Sequence, residues 1–204
     1  MVKLRFAALA MSVLFAATAT RADDANFAAF HRICIAAGGV RAAALAAAEA
    51  QGFVRPPKVV LDQINEQSVV PLNNADVRAK LIENGIEWVS VGAMNGAFQN
   101  RYTSTEICVL GVNPMSPATE KAAIAWGGVA PAVSDPQYQM LLFTGGEGAH
   151  RAVPTPDTTT LDTKTLSAVA STAKLQLLGA GHTEGVTLML YGIVTAAPAG
   201  SPPP

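Results

Sequence analysis

This sequence has little of what most chemistry needs. Its 204 residues include three histidines and two cysteines, and aromatic side chains make up 6%. Charged side chains make up 14%, with 14 bases and 15 acids, for a formal net charge of −1. No basic stripe with interleaved aromatics is present, so a nucleic-acid partner is not expected. No interior apolar run is long enough to span a bilayer. His31, His150 and His182 lie far apart and form neither H-E-x-x-H nor a Cys/His zinc pattern. No metal is therefore expected. The dinucleotide fingerprint, the P-loop, G-x-S-x-G and S-x-x-K are also missing, so no cofactor is expected. No internal repeat is visible.

What is present is apolar. Hydrophobic residues make up 50% of the chain, and mean hydropathy is +0.29. That is too apolar for a disordered chain and enough for one globular core. The N-terminus carries the most specific pattern. Lys3 and Arg5 precede an apolar stretch from Phe6 to Ala17, and small residues follow up to Ala22. This is the layout of a secretory signal peptide, residues 1–22, cleaved after Ala22 or alternatively after Ala19. Cleavage after Ala22 removes Lys3, Arg5 and Arg21, so 11 of the 14 bases face 15 acids and the charge becomes −4. The expectation is an exported, bacterial, periplasmic or secreted protein with no transmembrane segment after cleavage. In that oxidising setting Cys34 and Cys108 are expected to pair as a structural disulfide. Neither lies in C-x-x-C, so redox catalysis is not expected.

Spacing gives the elements. Phe27, Phe30, Cys34 and Ala37 predict a helix over 26–37, capped by Asp24 or Asn26 and stopped at Gly38-Gly39. An Ala-rich helix is expected over 40–51, with Gly52 after it and Phe53 packed behind. Residues 58–61 read as a short strand, 63–68 as loop, and 74–84 as a short helix ended by Gly85. Strands are expected over 86–91, 102–112, 137–144, 172–178 and 186–194, with turns at 92–96 and 179–185. Ser116-Pro117 starts a helix that runs to Trp126. Residues 151–163 read as an exposed connection. The 186–194 strand is apolar on both faces, so it is expected to be central or covered twice. The fold expected is α+β: a mostly antiparallel sheet with the N-terminal helices and one mid-chain helix packed on one face, stapled by the disulfide. The single domain spans 23–195, and 196–204 reads as a disordered Pro-rich tail.

Candidate chemistry centres on the segment from Gly179 to Gly185. It sets His182 and Glu184 on a glycine-rich tip, residue types suited to general acid–base work. Arg101, opening the 102–112 strand, is the candidate anion binder beside them. His150 follows Gly145-Gly-Glu-Gly148, a loop able to approach a ligand closely. The pattern Phe27-x-x-Phe30-x-x-Ile33-Cys34, with Gly52-Phe53 after the Ala-rich helix, resembles small exported proteobacterial proteins. The resemblance covers residues 27–53, implies an exported α+β protein with a helix-borne Cys, and carries over no activity. The function expected is non-catalytic: binding of a small or apolar ligand, or of an envelope partner protein. The alternatives are a small periplasmic hydrolase or isomerase built on His182, Glu184 and Arg101, and an envelope assembly or inhibitor module acting by β-augmentation.

Overall fold

The computed structural model describes residues 24–67, 72–95, 103–153 and 163–196. Asp24 opens the first helix, α1 (Ala25–Phe30), by accepting the Phe27 amide on Oδ1 at 2.8 Å. The helix continues as a π-helical turn, His31–Ile35. It ends at Gly38 and Gly39, both in the left-handed region (φ 61° and 78°). Helix α2 (Arg41–Ala50) follows, and Gly52 (φ 85°) releases the chain so that Phe53 tucks underneath, 1% exposed.

Several stretches differ from the sequence reading. Residues 58–67 are neither strand nor loop but a helix, α3 (Lys58–Gln67). Pro56 and Pro57 precede it, a position where a missing amide harms nothing. Val60, Leu61 and Ile64 turn one face to the sheet, and Ile64 is 1% exposed. Burial of that face overrides the β-branched bias of Val59 and Val60. Residues 74–84 are not a helix but strand β1 (Asn73–Ile82), which turns at Glu83-Asn84 into β2 (Gly85–Asn95). Val77 and Leu81 suggest period 3.6, but the buried pair is Val77 and Ala79 at period 2, and Leu81 is exposed. The turn expected at 92–96 is strand as far as Asn95. Gly92 pairs with Ile107, and ladder bonds to a neighbouring strand outweigh the local turn signal.

The remaining strands are β3 (Thr103–Asn113), β4 (Val133–Asp135), β5 (Tyr138–Thr144), β6 (Arg151–Ala152), β7 (Leu175–Thr183) and β8 (Val186–Ala196). Helix α4 (Pro117–Gly127) lies between β3 and β4. Helix α5 (Thr163–Thr172), unforeseen in the sequence, precedes β7. All eight strands form one antiparallel sheet in the order β1-β2-β3-β8-β7-β5-β4, with β6 beside β5. The architecture is the expected α+β one, and α1, α2 and α4 share a face. That face buries Val89, Val91, Leu110, Leu178, Met189 and Tyr191 under Phe30, Ile33 and Ala44. The opposite face, Trp88, Ile107, Val109, Leu177 and Leu190, is covered by α3 and α5. Strand β8 sits between β3 and β7 with both faces covered, as its two-sided apolar pattern requires.

The disulfide is formed. Cys34 and Cys108 lie 5.4 Å apart at Cα and tie the π-helical turn to the middle of β3. Among the described residues, no helix is long and apolar enough to cross a membrane. The segment 1–22, read as signal peptide, lies outside the described residues, as does the 196–204 tail except for Ala196, which ends β8 paired with Thr103 rather than starting a disordered tail. The outer edge of β1 is blunted. Val54 exchanges both backbone hydrogen bonds with Ala79, at 2.9 and 2.8 Å, and Arg78 Nη1 donates to the Val77 carbonyl at 3.0 Å.

The expected loop 179–185 is almost entirely strand. β7 runs to Thr183, which pairs with Val186, so Glu184 and Gly185 alone make the turn. Both have positive φ, 43° and 82°, the requirement of a type I′ hairpin. Glycine suits that geometry, whereas glutamate is strained in it. Glu184→Asn is expected to raise stability by about 0.5–1 kcal/mol. Urea unfolding would check this, and no gain would mean that the turn relaxes at no cost.

Candidate functional site

The sequence candidates separate in space. His182 is on β7, and its Nδ1 lies 3.1 Å from Glu120 Oε2 on α4. Its carboxylate partner is thus Glu120 rather than Glu184, brought from 62 residues away with no local trace. Glu184 is exposed at the hairpin tip. Arg101 lies outside the described residues. A small groove of about 200 Å³ beside His182 is lined by Gln137, Tyr138, Thr183 and Leu188. Burial pushes the Tyr138 phenol well above its usual range.

A denser cluster forms elsewhere, from three distant segments. The first is α1 and its π-helical turn, which present Phe27, Phe30 and His31. π-Helical turns recur at functional sites. The second is the end of α4, which supplies Trp126. Ala118, Ala122 and Ala125 on that helix leave space between it and α1, and Gly127 admits Leu141, which would stand 2.4 Å from any Cβ there. The third is the loop after β5, Gly145–His150, which contributes Glu147 and His150. Gly145 (φ 97°) and Gly148 (φ 76°) give the loop its shape.

The rings pack on one another. Trp126 stands 6.5 Å from Phe27, 5.7 Å from His31, 6.1 Å from Phe143 and 4.6 Å from His150, all at steep angles. His150 also lies 4.4 Å from Phe143. Its Nδ1 is 2.9 Å from the Gly127 carbonyl. A carbonyl only accepts, so Nδ1 carries the proton and Nε2 is left with a lone pair. That Nε2 is buried and has no hydrogen-bond partner among the described residues.

Glu147 closes the cluster. Trp126 Nε1 donates to its Oε1 at 3.2 Å, and His31 Nε2 is 3.3 Å from the same oxygen, in ion-pair range but off the line of a hydrogen bond. The Trp126 hydrogen bond holds the Glu147 carboxyl below its usual range against some desolvation, with smaller help from His31 and His150. The loop beneath is anchored by a buried relay. Tyr191 Oη donates to Gln176 Oε1 at 2.7 Å, and Gln176 Nε2 donates to the Gly145 carbonyl at 2.6 Å. Burial pushes the Tyr191 phenol up to about 12, so it remains a donor at any physiological pH.

Two grooves share this wall. One, of about 560 Å³, runs between α1 and α4 and is lined by Phe27, Ala28, His31, Ala122, Ala125, Trp126 and Glu147, with Asp24, Arg32 and Lys121 contributing charge. The other, of about 500 Å³, opens behind it against Ile35, Gly145, His150, Lys174, Gln176 and Tyr191. Among the described residues, no group of three or more His, Cys, Asp or Glu is placed to hold a metal ion. The arrangement offers aromatic surface, one oriented carboxylate and one unpartnered imidazole nitrogen, which suits holding a ligand.

His150 and its glycine loop stand out in the sequence, whereas Trp126, Phe27 and Glu147 do not stand out as site residues. Phe27 and His31, four apart on a helix, were the available local signal. Comparison with family models, with curated proteins and with solved structures found no match to this chain.

Proposed function

We propose that this is an exported, non-catalytic protein that binds a small, largely apolar organic molecule in the groove between α1 and α4. The observation that carries the reading is the groove itself: Phe27, Trp126, Ala122 and Ala125 surround about 560 Å³ next to a carboxylate fixed by two partners. An apolar wall with a few oriented polar groups is the usual make-up of a small-molecule site. The imidazoles support binding over catalysis. His182 holds Glu120, His31 faces Glu147, and His150 holds the Gly127 carbonyl. Each ties one element to another. The disulfide supports an oxidising compartment, in keeping with the N-terminal pattern.

Trp126 provides the test. Trp88, the other tryptophan, is fully buried on the opposite face of the sheet, so ligand-induced fluorescence changes report Trp126. The neutral dye N-phenyl-1-naphthylamine, titrated into the oxidised protein, is expected to quench Trp126 with saturation. Ala122→Phe fills the groove and is expected to weaken that binding at least about tenfold, roughly 1.4 kcal/mol. Equal affinity for wild type and Ala122→Phe would place the dye elsewhere and remove the support for this groove.

A further inference from the structure

We propose that the groove between α1 and α4 recognises a small quaternary ammonium compound, its methylated head group seated on Phe27, His31 and Trp126 beside the Glu147 carboxylate. The inference rests on the binding reading above and names its ligand class. Three rings meet at this wall with no two parallel. Phe27 and His31 are 6.3 Å apart at 66°, His31 and Trp126 5.7 Å at 77°, and Phe27 and Trp126 6.5 Å at 52°. Ring faces carry negative potential and attract a diffuse cation that sheds water easily, and Trp126, 8% exposed, offers this through the part of its indole that lines the groove. A neutral apolar ligand would need the rings but not a charge among them. Here a carboxylate sits at the rings' edge, tied to Trp126 Nε1 at 3.2 Å and His31 Nε2 at 3.3 Å, with 65% of its side chain still exposed.

Of the other charged groups on the groove, two are engaged elsewhere. Asp24 is committed to the α1 cap and to Thr119 Oγ1, which donates to it at 2.7 Å. Arg32 is exposed, and its guanidinium donates to Gln51 Oε1 at 3.2 and 3.4 Å. Lys121 is exposed on α4. Glu147 is thus the carboxylate available to a bound cation. A quaternary ammonium has no N–H to satisfy, which matches a wall of rings and alanine methyl groups.

Calorimetric titration of the oxidised full chain tests the idea with choline and with 3,3-dimethylbutanol, its uncharged isostere. Choline is expected to bind at least about tenfold more tightly, since shape and apolar area are matched and charge is the difference. Glu147→Gln, on an exposed loop, is expected to remove most of that preference. Equal binding of the two probes overturns the inference. Binding of the neutral dye at Trp126 with no binding of choline also overturns it, and leaves the broader binding reading intact. If neither choline nor the dye binds, both fall together.

Discussion

Replacing Cys34 and Cys108 together by alanine is expected to lower the unfolding free energy by about 4 kcal/mol. The bridge closes a loop with a sequence separation of 74 residues, and the chain-entropy relation gives about 4.4 kcal/mol for a loop of that length. Both sulfurs lie in the core, with the residues 0% and 1% exposed, so alanine leaves small cavities and no stranded polar group. For a domain of this size the melting temperature should fall by about 10 °C or more. Guanidinium unfolding of the oxidised wild type against the double variant gives the number directly. A loss under about 1 kcal/mol would mean that the denatured chain stays compact across that loop whether or not it is cross-linked. The bridge has a second role that a stability figure does not show. Cys34 lies one turn after His31, so the cross-link fixes the helix that carries one wall of the groove.

The second large effect is expected on the opposite face. Trp88 and Gly111 pair across β2 and β3, and the indole lies over the glycine so closely that a Cβ there would meet Trp88 Cε2 at 2.2 Å. Trp88 is fully buried. Trp88→Ala should cost about 3–5 kcal/mol through lost contacts and a residual cavity. Gly111→Ala should cost about 2–3 kcal/mol, because β3 has neighbours on both sides and the indole has nowhere to move. The two changes share one cause, so the double variant should be more stable than the sum of the single losses implies, by 1 kcal/mol or more. Additive losses would show that the indole does not rest on Gly111.

These expectations rest on features that were unequally legible in the sequence. The disulfide needed only a count of two cysteines and an export pattern. The central place of β8 followed from Val186, Leu188 and Leu190 on one side and Met189 and Tyr191 on the other, since both sides had to be covered. Residues 58–67 and 73–82 misled because each is short and carries only four or three large apolar groups. Val77 satisfies a helical pattern with Leu81 and a strand pattern with Ala79 equally well, and Val54 and β2 decide between them. The 179–185 segment was obscured by its glycines. Gly179 and Gly181 are there because Tyr138 lies across them, with the phenol oxygen 2.6 Å from where a Cβ on Gly179 would stand, a cross-strand contact with no local trace. The groove was the least legible feature. Its walls come from residues 27–31, 118–126 and 147, and none of those segments holds a motif. Ala118, Ala122 and Ala125 signalled only that something packs closely.

The position of β8 bears on how the chain reaches its native state. The sheet is completed in the middle by the last of its described strands in sequence: β3 and β7 each find their second partner only when residues 186–196 are available. Until then the first 185 residues can build the β1-β2-β3 meander but cannot join it to β7 and β5. Contacts spanning some 80 residues are slow to form, because loop closure must precede their gain. A ribosome delivering this protein from its N-terminus would therefore hold an open half-sheet until residues 186–196 had emerged. Loss of β8 by truncation would leave two unpaired edges at the centre of the sheet, where an aggregating neighbour could pair instead.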